Sequence, residues 1–194
     1  MAKRFSYLVD LPVDSRGRTA KLKKQRVLLF AQPVAGKPSL VQLVSTDAQL
    51  LHDPAIDGWT RDLVAALLKP NAPARISGVS SAFHAPGSIV DTGETQIFLM
   101  TANGEPASLS ISTRAGAAPE WSANFGEVIN ESAGVPARNS LAWYRLACGL
   151  PDRLPPAAFA DGGTAHQAKI DYDYALVRAV LGSCTRTQPA IPLP

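Results

Sequence analysis

Six cations fall within eleven residues at Arg16, Arg18, Lys21, Lys23, Lys24 and Arg26. Guanidinium and ammonium groups this crowded raise the local potential and attract phosphates. Each one seated on a phosphate releases counterions, so the binding they support is salt-dependent. Leu22 is the one large apolar residue among them, so the segment has no face that inserts into a membrane. Nucleic acid or another polyanion is the partner this pattern fits. The plainer alternative is a solvated loop whose charges aid solubility.

The charge is unevenly spread. Residues 1–26 carry eight basic side chains against Asp10 and Asp14, a balance of +6, while the other 168 residues hold eleven basic and fourteen acidic groups, or −3. The formal net charge of +3 is therefore the sum of two unlike regions.

The remaining reactive side chains form weaker patterns. His84 follows Ser80 and Ser81, and a serine and a histidine with an acid such as Asp91 or Glu94 orienting the ring could support acyl transfer. This makes a small hydrolase or ligand-processing domain centred on the Ser80–Glu94 loop the alternative function, although surface or capping roles explain such a spacing more simply. His52, beside Asp53, reads as a helix-start residue. Ala35-Gly36-Lys37-Pro38-Ser39 has the end of a phosphate-binding loop but lacks its first glycine, and Pro38 stands where the helix would begin. No Gly-x-Ser-x-Gly, His-Glu-x-x-His or Cys-x-x-Cys occurs. No catalytic residue, metal or cofactor is therefore assigned. Cys148 and Cys184 each sit at the end of a C-terminal helix; a bond between them or two packed thiols both remain open, the second if the compartment is reducing.

These residues need elements to position them. With 194 residues, 46% of them hydrophobic and 18% charged, the chain is globular rather than disordered, collagenous or coiled-coil. Sixteen prolines favour strands and loops with short, sharply bounded helices. No apolar run is long enough to span a membrane, and the first residues lack the apolar core and cleavage site of a signal peptide. A cytoplasmic or virion-internal protein is the expectation, with a mature secreted domain as its competitor.

Alternation predicts a strand over Phe5–Leu11, and apolar runs predict strands at Arg26–Gln32 and Leu40–Ser45, the first two joined by the cationic loop of residues 15–26. A helix is expected from Pro54 to about Lys69, capped by Asp53 with proline in its first turn and with Ile56, Trp59, Leu63 and Leu67 on one stripe. Asn103-Gly104 predicts a type I′ hairpin that sets Met100 opposite Ala107, Phe98 opposite Leu109 and Gln96 opposite Ile111. Further strands are expected near Ala74–Phe83 and Asn124–Ile129. Helices follow at Ser140–Cys148, capped by Asn139, and from Asp171 or Asp173 to Leu181, stopped by Gly182. Trp59, Trp121, Trp143 and Tyr144 read as core, with one alternative for Trp121: in a loop-like stretch, it could be an exposed ring that contacts a ligand or a neighbouring subunit.

The expected fold is α+β: one antiparallel, hairpin-built sheet of six or seven strands, one inserted helix and two C-terminal helices, in a single domain over residues 1–187 with a proline-broken tail at 188–194. In layout alone this order is similar to that of the single-stranded RNA phage coat proteins, whose strands precede two helices. This chain is longer, adds the helix at 54–69 and shares no motif with them. The function that follows is a non-enzymatic binding or assembly protein that uses Arg16, Arg18, Lys21, Lys23, Lys24 and Arg26 on nucleic acid or another polyanion, with self-association into an oligomer or particle. A protein-partner module is a third possibility.

Overall fold

The computed structural model describes residues 4–11, 13–19, 22–126, 134–160 and 163–184. The chain divides into two compact units, residues 1–62 with 185–194, and residues 63–184. The end of the expected Asn124–Ile129 strand, past residue 126, the tail at 188–194 and Lys21 lie outside the described residues.

In the first unit the apolar run at 26–32 makes two short strands, β1 (Val27–Leu29) and β2 (Ala31–Val34), split at Phe30. Strand β2 turns back through Gly36, at φ 71°, onto β3 (Lys37–Leu43), while β1 pairs antiparallel with β4 (Gln49–Leu51). Phe5–Leu11 is not a strand. It touches β3 through a single parallel bridge, Ser6 to Leu40. Helix α1 (Pro54–Leu67) begins where expected, because the Asp53 carboxylate accepts the amides of Ala55 and Ile56 at 2.8 and 3.2 Å. Its predicted stripe is not covered. None of its residues is fully buried, and Trp59, expected in the core, is half exposed.

The second unit is a four-stranded antiparallel meander, β5 (Ile76–Pro86), β6 (Gly93–Thr101), β7 (Ala107–Thr113) and β8 (Glu120–Phe125), followed by α2 (Leu141–Gly149) and α3 (Gln167–Leu181). The sheets thus contain two, two and four strands rather than forming one sheet of six or seven. One face of the meander, with Val79, Ala82, Ile97, Leu99, Leu109 and Ile111, packs into a single cluster with Trp143 and Leu146 of α2 and Ile170, Tyr174 and Val177 of α3. Gly149 permits close packing there, since a Cβ on it would lie 2.7 Å from Cβ of Ile76.

The β6–β7 hairpin corrects the expected register by one residue. Leu99 faces Ala107, Ile97 faces Leu109 and Thr95 faces Ile111, so the odd residues of β6 point inward. Gly104 takes a positive φ of 77° but Asn103 does not, which excludes the type I′ turn. Instead the Gly104 amide donates to the Thr101 carbonyl and the Thr101 hydroxyl to the Glu105 carbonyl at 2.6 Å, giving a wider loop that also takes in Pro106. Phe98 and Met100 consequently lie on the outer face, where Phe98 meets Phe83 at 5.9 Å between ring centroids.

Two helix starts and one loop also shift. Ser140, not Asn139, caps α2 by accepting the Trp143 amide. Helix α3 starts at Gln167 with no side-chain cap, four residues before Asp171, and Gly182 ends it at φ 72°. Trp121 lies in β8 with its ring in the core, 8% exposed, because β8 begins at Glu120 and its second residue faces α2 and α3. That removes the exposed ring on which its interface role rested.

Candidate functional site

The cationic segment folds into two consecutive tight turns. Val13 bridges Thr19 across the first, with Gly17 at φ 71°, and the second has the Gln25 amide on the Leu22 carbonyl with Lys24 at φ 65°. Asp14 organises the first turn: it accepts the amides of Arg16 and Arg18 at 2.9 Å and pairs with the Arg18 guanidinium at 2.6 Å. The amide and then the guanidinium of Arg18 hold the Asp14 carboxyl below the ordinary carboxylate range. Arg18 is therefore partly neutralised. Arg16, Lys23 and Lys24 are exposed on these turns, and Arg26 is exposed just before β1.

A second constellation lies in the other unit, where β5, β6 and α3 meet. Thr95 and Asp173 are fully buried in an otherwise apolar core. The Thr95 hydroxyl donates to Oδ2 of Asp173 at 2.5 Å, and Oδ1 takes Nζ of Lys169 at 2.5 Å, one helical turn earlier. Lys169 also donates to the Thr113 hydroxyl at 3.1 Å, so both carboxylate oxygens are satisfied, as a buried charge requires. On its other side Thr95 Oγ1 lies 2.9 Å from Nδ1 of His84.

Proton counting assigns the tautomer. The single hydroxyl proton of Thr95 is committed to Asp173, so Nδ1 of His84 must be the donor and Nε2 carries the lone pair. The ring rests against Gly93, where a Cβ would lie 2.7 Å from Cε1 and 2.8 Å from Nε2. His166, in the short 3-10 turn Gly163–His166 before α3, meets it edge-on at 5.4 Å between centroids. Burial first, then the charge on Lys169, with His166 adding to it, lowers the His84 pKa from its ordinary 6.5, while Asp173 opposes them.

This arrangement revises the hydrolase reading. The Ser80 hydroxyl donates to the Phe98 carbonyl at 3.2 Å, and the partner of His84 is Thr95 rather than Ser80 or Ser81. The acid that reaches the ring, through Thr95, is Asp173 rather than Asp91 or Glu94; Glu94 accepts from Gln96 instead. A cleft of about 500 Å³ beside α3 is lined by Arg153, Phe159, Asp171 and Tyr174, and none of the His84 cluster borders it. Burial there pushes the Tyr174 hydroxyl up to about 12, and it donates to the Pro151 carbonyl.

Cys148 and Cys184 are joined by a disulfide, Cα to Cα 5.1 Å, tying the end of α2 to the chain just past α3. Among the described residues no three metal-binding side chains converge, and no helix is long and apolar enough to cross a membrane. In comparisons with known proteins, no family model, no curated protein and no solved structure matches this chain.

Proposed function

We propose that the protein is a non-enzymatic binding or assembly protein that holds nucleic acid or another polyanion on the basic turns of residues 14–26. The observation that carries this reading is the exposure of Arg16, Lys23, Lys24 and Arg26, while Asp14, the carboxylate within the segment, is paired with Arg18. Replacing Arg16, Arg18, Lys21, Lys23 and Lys24 with serine tests it in an oligonucleotide titration at several salt concentrations. Binding should weaken, and the log–log salt slope should flatten by about 0.7 for each cation that had sat on a single-strand phosphate. The melting temperature should barely move, because the described members of the set are exposed. Equal binding by variant and wild type would sink the proposal.

Self-association belongs to the same reading and draws on α1, whose apolar stripe of Ile56, Trp59, Leu63 and Leu67 includes no buried residue. Light scattering after size exclusion, at low and high salt with absorbance followed at 260 nm, should show an oligomer or copurifying nucleic acid. A clean monomer would favour a module for a protein partner instead. As to location, the reading is cytoplasmic or virion-internal, but the Cys148–Cys184 bond sits better with an oxidising environment. Alkylation at the moment of lysis followed by mass measurement decides: alkylated thiols mean a reducing compartment, and a peptide pair two hydrogens lighter means an oxidising one.

A further inference from the structure

The polar chain from Lys169 through Asp173 and Thr95 ends at a half-buried imidazole that touches a second histidine. We propose that His84 and His166 form an acid-sensitive latch, which pins the Gly163–His166 turn and the first turns of α3 to β5 and β6 at neutral pH and releases them in mild acid.

At neutral pH every proton has a place. Nδ1–H of His84 donates to Thr95, Thr95 donates to Asp173, and Asp173 balances Lys169. The atom left to take a proton is Nε2, which lies beside Gly93 of β6. Protonating His84 would add a cation beside Lys169, whose ion pair already engages the Asp173 carboxylate.

Asp173 is the carboxylate that acts on the ring. The turn Pro156–Phe159 contains no titratable side chain. Helix α2 approaches at the Ile76 end, where Arg145 donates to the Pro73 carbonyl. On β6, Glu94 is engaged by Gln96, and on α3 the ring of Tyr172 lies 5.8 Å from Lys169 Nζ.

The sign follows from linkage. Above pH 6.5 His84 is neutral whether docked or released, and the latch is at full strength. As pH falls below 6.5 the released form takes a proton that the docked form resists, so docking weakens progressively until the lower docked pKa is passed.

Hydrogen exchange of the full chain, with the disulfide intact, tests this between pH 7.5 and 5. Protection factors at residues 164–173 should fall about tenfold for each pK unit separating the docked and released forms, while those of β7 hold. His84→Gln should abolish the fall, and His166→Gln, at an exposed position, should reduce it. Should His84→Gln fail to fold, His166→Gln and a nitrogen-15 titration of His84 in the wild type decide, with Nε2 expected to titrate below 6.5. Protection at 164–173 that is flat with pH, or that falls equally in wild type and His166→Gln, overturns the latch.

Discussion

At Gly93 a missing side chain does more than any present one. The His84 ring and the Ala85 carbonyl both crowd the place a Cβ would take, the latter at 2.8 Å. Gly93→Ala should therefore destabilise the protein by about 1–3 kcal/mol in chemical denaturation. Adding His84→Ala should recover only part of that loss, since the Ala85 carbonyl remains. Full recovery would mean the ring alone sets the spacing. Asp173→Ala should cost about 1–3 kcal/mol, because it leaves the buried Thr95 hydroxyl without its acceptor, while Lys169, one-third exposed, keeps Thr113 and reaches water. Neither residue was legible as part of a site. Asp173 resembles a helix cap, aspartate being among the commonest caps, and the true start at Gln167 carries no capping side chain to correct the impression. The available signal was the i, i+4 spacing of Lys169 and Asp173, which reads on its own as an exposed surface pair. Only the fold shows that one member is inside.

Elements bounded by a local device were readable. Asp53 and Pro54 start α1 and Gly182 stops α3, each through a backbone requirement that its own residues meet. The β6–β7 hairpin shows the limit of such reasoning. The pair Asn103-Gly104 favours a two-residue turn, but burying Ile97 and Leu99 with Ala107, Leu109 and Ile111 demands a shift of one residue, and a shift of one exchanges the faces of β6. Packing over a whole face outweighs the preference of one turn. Ile97→Ala should accordingly cost about 2–5 kcal/mol. Phe98→Ala, which loses mainly its contact with Phe83 on the outer face, should cost about 1 kcal/mol. Thermal melts of the two variants in the reverse order would refute the register. Strand β8 shows a related limit: Ala117-Ala118-Pro119 reads as a loop leading to a strand near Asn124, yet the strand begins at Glu120 and carries the Trp121 ring inward.

At the scale of the whole molecule, the cationic segment lies within one of the two compact units, that of residues 1–62 and 185–194. The basic turns belong to the unit with the short paired strands, and the meander with α2 and α3 belongs to the other. The α+β class was legible from strands preceding helices, but the partition of the sheet was not, because β1 and β2 read as one apolar run and only their different partners separate them. The Cys148–Cys184 bond, with a separation of 36 residues, should contribute about 3–4 kcal/mol to its unit by restricting the unfolded chain, measured as the shift in denaturation midpoint on adding reductant. It also makes a covalent ring of the segment that holds Lys169, Asp173 and His166. A protease that cuts inside that ring, for instance after Arg153, leaves two pieces that still migrate as one on a non-reducing gel, so a first nick in acid becomes visible only when the bond is opened.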